Sequence, residues 1–170
     1  MFHPENYPQE KEKAYPLIRE QLAALLEGEK LPLPNLANMS ALLYHALPDV
    51  NWAGFYLFRK GELVLGPFQG LPACIRIPVG RGVCGTAAAQ GKTQLVPDVH
   101  AFPGHIACDS ASNSEIVIPL YDGSRLLGVL DIDSPLLNRF NQTDRLELET
   151  LCRMLCEACD WQAGGENPLP

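Results

Sequence analysis

Residues 11–27 place Leu17, Gln21, Ala24 and Leu25 near helical spacing, which predicts an amphipathic helix. Residues 28–34, rich in proline and glycine, break it, and a second helix is predicted over 35–46. The aromatic run Asn51-Trp-Ala-Gly-Phe-Tyr-Leu-Phe58 reads as a strand, and Lys60-Gly61 turns it into Glu62-Leu-Val-Leu65 as a hairpin. A short strand is predicted at 75–78. The glycine-rich stretch 80–85 then leads into a helix containing Ala87 to Ala89, and residues 93–96 form another short strand. After an irregular stretch at 97–113 come two apolar strands, 115–120 and 126–133, joined by the turn signal Asp122-Gly123. A last helix starts near Asn141-Gln-Thr-Asp144, capped by Asn141 or Thr143, and runs to about Trp161.

Helices at both ends around a mostly antiparallel sheet make an α+β fold, read as one domain over 1–170. Residues 1–10 and the glycine- and proline-bearing tail 163–170 are expected to fray.

Composition narrows the function. Hydrophobic residues make up 46% and charged residues 19%, which suits a chain with a buried core. The net charge of −7 speaks against nucleic-acid binding, which needs a basic face. No apolar run approaches the roughly 20 residues that span a bilayer, and the N-terminus has neither the basic flank nor the apolar core of a signal peptide. A cytoplasmic protein without membrane contact is expected. Its six cysteines then do not imply a structural framework, because disulfides in that compartment are usually transient and catalytic.

The chemistry-bearing residues cluster along the chain. Cys74, Cys84 and Cys108 lie among loops and turns, and Glu115, Asp131 and Asp133 follow. A thiol-based reductase needs these parts: a thiolate to attack, a second thiol to resolve and an acid to deliver a proton. Cys84 stands at a predicted helix start, where free N–H groups and the helix dipole are expected to lower its pKa; simple packing is the alternative. Cys108 stands in the polar loop Gly104-His-Ile-Ala-Cys108, with His105 three residues before it, as befits an exposed nucleophile. Cys74 follows Pro72-Ala73 and offers a resolving thiol if the loops converge.

Asp131 and Asp133 share one face of a strand while Leu130 and Ile132 take the other. An odd-length loop about Asp122-Gly123 places Glu115 beside Asp131, whereas a two-residue loop turns it away. A solvated sheet edge is the alternative for the acids. Trp52 and Tyr56, four apart, also share a face, as core residues or as the wall of a pocket. Cys152, Cys156 and Cys159 repeat at helical spacing beside Leu148 and Leu155 and are read as core; no metal-ligand set is read from them.

Six segments carry a resemblance: Asn51-Trp-Ala-Gly-Phe-Tyr, Leu63-Val-Leu-Gly-Pro-Phe-Gln-Gly70, Arg76-Ile-Pro-Val-Gly-Arg-Gly-Val-Cys-Gly85, Gly104-His-Ile-Ala-Cys108, Ser114-Glu-Ile-Val and Gly128-Val-Leu-Asp-Ile-Asp-Ser134. Over about 36–153 the chain resembles the free methionine-(R)-sulfoxide reductases, which are stand-alone GAF domains. The resemblance implies a six-stranded antiparallel sheet and a small closed pocket for a free amino acid, with no cofactor. It implies that the Cys108 thiolate attacks the sulfoxide sulfur and becomes a sulfenic acid. Cys74 then condenses with it, Cys84 is an additional or alternative thiol, and thioredoxin reduces the disulfide.

The resemblance further implies that Glu115 and Asp133 supply acid chemistry, and that Asp131, Glu115 and Asp133 hold the substrate ammonium. Trp52 and Tyr56, with Ile106 and Ala107, complete the pocket, and Trp52 covers the methyl group on the sulfur. A homodimer is expected. A pocket that holds a free ammonium on buried carboxylates should discriminate against peptide-bound methionine sulfoxide. The competing reading is a GAF module that senses a small molecule or redox state without turnover.

Overall fold

Alternation of side chains across the strands decides the architecture of the chain, whose computed structural model describes residues 7–104 and 110–162. Six strands form one antiparallel sheet: β1 (Trp52–Arg59), β2 (Glu62–Gly70), β3 (Arg76–Pro78), β4 (Gln94–Val96), β5 (Ser114–Asp122) and β6 (Arg125–Ser134), in the order β3-β2-β1-β6-β5-β4. Helices α1 (Lys11–Leu26), α2 (Pro32–Ala46) and α4 (Gln142–Ala158) complete one layer, and α3 (Gly82–Gln90) packs elsewhere. The α+β expectation and the six-stranded sheet are borne out.

The two faces of the sheet bury different things. Ala53, Phe55, Leu57, Ile116, Ile118, Leu130 and Ile132 join α1, α2 and α4 in the larger core. Trp52, Tyr56, Val117 and Val129 point the other way and form a smaller core with Val83, Cys84, Ala87 and Ala88 of α3. At about 25 cal/mol per Å² of apolar surface, the larger core is the main source of stability and leaves the smaller face available for chemistry.

The helices differ in detail from the sequence reading. In α1 the buried stripe is Tyr15, Ile18, Leu22 and Leu26, displaced from the expected Leu17, Gln21, Ala24 and Leu25. α2 begins at Pro32, because proline in a first turn gives up only an N–H that has no helical partner. α4 starts on the expected cap: Asn141 accepts from the N–H groups of Thr143 and Asp144, and Asp144 closes a capping box. It ends at Ala158, short of Trp161, whose indole N–H donates to the Cys156 carbonyl at 2.9 Å. Asp144 is fully buried but not isolated: Tyr15 donates to it at 2.8 Å, and Lys11 and Arg139 pair with its carboxylate. That cluster fastens α1 to α4.

β2 continues to Gly70, well past the expected Leu65. The register with β1 shifts between Gly54 and Tyr56, so Gly66-Pro67 is absorbed in a bulge and does not end the strand. The Pro67 carbonyl accepts from Ser40 Oγ at 3.0 Å.

The hairpin of β5 and β6 settles the orientation of Glu115. Asp122 pairs with Arg125, so the loop tip is the two residues Gly123 and Ser124, which alone would turn Glu115 away. A register shift between Leu120 and Tyr121 inserts Leu127 as an extra residue and restores Glu115 opposite Asp133. Gly128 sits beside this shift at φ 157°, where a Cβ would lie 2.1 Å from the Tyr56 carbonyl oxygen. Only glycine lets β6 approach β1 this closely.

Candidate active site

Three strands and one helix start converge on a single pocket. Trp52 and Tyr56 come from β1, Glu115 from β5, Asp131 and Asp133 from β6, and Gly82 and Cys84 from the first turn of α3. Leu71, Pro72 and Ala73, just after β2, close one side, with Ile77, Arg81 and Ser112 around them. The pocket is partly open to the surface, and its inner space is small, about 30 Å³.

The sheet register makes the constellation. Asp133 pairs with Trp52 on one side and with Glu115 on the other, while Asp131 pairs with Gly54 and Val117. Directly opposed residues share a face, so three acids and an indole project into one space. Trp52 stacks on Tyr56 with ring centroids 5.8 Å apart, and on Phe68 at 5.2 Å, giving the pocket a rigid aromatic wall.

Electrostatics then separates the acids. Burial pushes the Glu115 carboxyl well above its usual range, and the nearby charges of Asp131 and Asp133 push it further. Burial also raises Asp131, to about 6, against hydrogen bonds from Cys84 and Glu115 that favour its charged form. The charges of Asp131 and Asp133 bear on Glu115, so of the two carboxyls Glu115 is the more reluctant to ionise. Tyr56 is pushed up by burial and by the same acids, and keeps its proton.

Cys84 corrects the expectation drawn from the helix start. It lies in the first turn of α3, as expected, but burial and the charges of Asp131 and Glu115 drive its pKa well above normal. The helix dipole offers about 0.3–1 kcal/mol to a thiolate, whereas burying an anion beside carboxylates costs several kcal/mol. Cys84 is thus a neutral thiol, with its Sγ 3.9 Å from Glu115 Oε1.

The other cysteines divide cleanly. Cys74 is partly buried next to the pocket residue Ala73 and is disulfide-bonded. Cys84, Cys152, Cys156 and Cys159 are free thiols. The last three sit on or at the end of α4 and belong to the larger core or pack against it, with Asn35 Nδ2 donating to Cys159 Sγ at 3.3 Å. Ile106, Ala107 and Cys108, with His105, lie outside the described residues.

Among the expected residues, Trp52, Tyr56, Cys84, Glu115, Asp131 and Asp133 all line the pocket. Sequence reasoning missed Arg81, the basic side chain among the described lining residues. Its signal was its place in the Gly80-Arg-Gly82 turn directly before α3. Cys84 Sγ and carboxylate oxygens of Glu115 and Asp131 all lie within 4.8 Å of one another, the grouping among the described residues that could hold a metal ion. Chemically, the pocket combines carboxyls reluctant to ionise, an aromatic wall and a neighbouring disulfide-bonded cysteine.

Known proteins fit this geometry. The family model for the GAF domain matches residues 36–155. Over 145 residues the chain is 55% identical to the free methionine-R-sulfoxide reductase of Escherichia coli (strain K12), covering 85% of this chain and 88% of that one. It is 58% identical over 160 residues to protein YtsP of Bacillus subtilis (strain 168), covering 93% and 98%. The free methionine-R-sulfoxide reductase from Neisseria meningitidis, solved in complex with its substrate, superposes with a TM-score of 0.86 at 44% identity, covering 93% of this chain and 94% of that one.

Proposed function

Since the chain belongs to the free methionine-(R)-sulfoxide reductase family of GAF domains, we propose that it reduces free methionine-(R)-sulfoxide to methionine in this pocket. The observation that carries the reading is the register that gathers Glu115, Asp131, Asp133 and Trp52 on one face. A sensor pocket has no need of buried carboxyls reluctant to ionise next to a disulfide-bonded cysteine.

Cys108 is the nucleophile. Its thiolate attacks the sulfoxide sulfur while protonated Glu115 delivers a proton to the sulfoxide oxygen. Two electrons pass to the substrate sulfur, methionine leaves, and Cys108 is left as a sulfenic acid. Cys74 condenses with it, releasing water and forming the Cys74–Cys108 disulfide. The disulfide state of Cys74 beside the pocket supports a part for it in this redox cycle. A dithiol of the thioredoxin type then reduces the disulfide by exchange and returns both thiols.

Asp131 and Asp133 hold the substrate ammonium, Trp52 covers the S-methyl group, and Arg81 at the rim attracts the α-carboxylate. Cys84, a neutral thiol against Glu115, is not the attacking group. An oxidised peptide lacks the free ammonium and leaves buried carboxylates unpaired, so it is a poor substrate. The protein acts as a cytoplasmic homodimer.

The test is reduction of racemic free methionine sulfoxide with a thioredoxin system, followed by chiral chromatography for wild type and Cys108→Ser. Loss of the R form alone, abolished by Cys108→Ser, supports the reading. Consumption of the R form by both proteins moves the nucleophile elsewhere. Stable binding of the sulfoxide without release of methionine returns the chain to the sensor class.

A further inference from the structure

The Cys84 thiol has no role in the proposed turnover, yet it is buried where two carboxylates meet. We propose that Cys84 Sγ, with one carboxylate oxygen each from Glu115 and Asp131, forms a site for a thiophilic divalent cation on the pocket floor. Zinc is the cation this donor set suits.

The three donor atoms lie within 4.8 Å of one another. A tetrahedral zinc with a sulfur and an oxygen ligand spans about 3.5 Å between them, and Cys84 Sγ to Glu115 Oε1 is 3.9 Å. Closing that gap needs only a few tenths of an ångström from side chains. A second observation points to a ligand independently. Asp131 is 6% exposed, and its Oδ1 is buried with no hydrogen-bond partner. A buried carboxylate oxygen left unpaired is costly, and a cation is the partner that removes the cost.

The donors come from α3, β5 and β6, and the β5–β6 register sets Glu115 and Asp131 on one face before any ion arrives. Binding releases the Cys84 proton, and any carried by the carboxyls, to solvent, and the resulting thiolate and two carboxylates favour zinc, cadmium or cobalt over the all-oxygen coordination of magnesium or calcium. Three protein ligands leave the fourth position open toward the cavity. An ion there occupies Asp131, one of the two carboxylates assigned to the substrate ammonium. Zinc therefore competes with the substrate, a consequence that rests on the proposed function, whereas the site itself does not.

Cobalt(II) is the probe, added to phosphine-reduced full-length protein. The expected result is tetrahedral visible bands with a thiolate-to-cobalt charge-transfer band in the near ultraviolet. The band persists when Cys74→Ser and Cys108→Ser are combined, and disappears in Cys84→Ser. In competition with a chromophoric chelator, Asp131→Asn weakens zinc binding at least tenfold, which reads the site without relying on the cysteine variant. No uptake by wild type, or a band that survives Cys84→Ser, overturns the proposal. In turnover assays zinc raises KM with little change in kcat, and a chelator reverses it. Uptake through Cys84 in a protein without reductase activity upholds the metal site and removes the reductase reading; activity that zinc leaves untouched, with no Cys84-dependent band, does the reverse.

Discussion

The indole N–H of Trp52 donates to the backbone carbonyl of Leu71 at 3.1 Å. Leu71, Pro72 and Ala73 wall the pocket and lead directly into the disulfide-bonded Cys74, so one hydrogen bond joins the aromatic wall to that segment. Trp52→Phe keeps an aromatic face but releases that segment. The expected outcome is a fall in kcat/KM of about 10–100-fold, as befits misplaced reacting groups, with about 1 kcal/mol or so lost in stability. Steady-state kinetics on free methionine-(R)-sulfoxide and urea unfolding separate the two; unchanged kinetics would remove the coupling.

In the proposed mechanism Glu115 is the proton donor. Glu115→Gln preserves shape and removes the acid, so kcat should fall by about 10²–10⁴-fold with KM less affected. A variant of near wild-type kcat would shift the acid role to Asp133.

Asp131 and Glu115 both hold a proton to higher pH in the folded chain than in the unfolded one. Unfolding in this range releases protons, and rising pH favours it. The pocket's contribution to stability is complete below about pH 4 and declines through about 6 for Asp131, with Glu115 extending the loss upward. Asp131→Asn should therefore gain on wild type by about 2 kcal/mol between pH 4.5 and 8. Parallel urea-derived stability curves for the two proteins would contradict this.

Arg81 is an exposed lining residue of the pocket, and in the proposed function it meets the substrate carboxylate. Arg81→Met should raise KM about tenfold and leave kcat nearly unchanged, since the loss falls equally on bound substrate and transition state. A proportionate fall in kcat would instead place Arg81 at the reacting atoms.

Gly128 cannot carry a side chain without driving a Cβ to 2.1 Å from the Tyr56 carbonyl oxygen. Gly128→Ala should cost about 2–4 kcal/mol and lower activity beyond the loss of folded protein, because the strand spacing places Asp131. Thermal unfolding and activity per folded molecule test the two effects.

The acidic pocket was legible because strands have a period of two: Trp52 with Tyr56, and Asp131 with Asp133, needed only alternation. Glu115 was not, because its face depends on an extra residue, Leu127, whose identity gives no sign of a bulge. The continuation of β2 through Pro67 was hidden for the same reason, as a proline reads as a break until a bulge absorbs it. Cys84 was placed correctly at its helix start but assigned the wrong electrostatics. Burial and neighbouring acids come from distant segments, and no local motif announces them. In α1 several apolar residues allowed more than one stripe, and contact with the sheet-side core selected Tyr15, Ile18, Leu22 and Leu26.

Along β6, Leu130 and Ile132 serve the helix-side core while Asp131 and Asp133 serve the pocket. One strand thereby answers to two selective pressures that act on alternate positions. Descent can retune what the pocket accepts, one acid or aromatic at a time, without disturbing the residues that keep the chain folded. Lineages that change substrate should diverge first on the α3 side and last beneath the three packed helices.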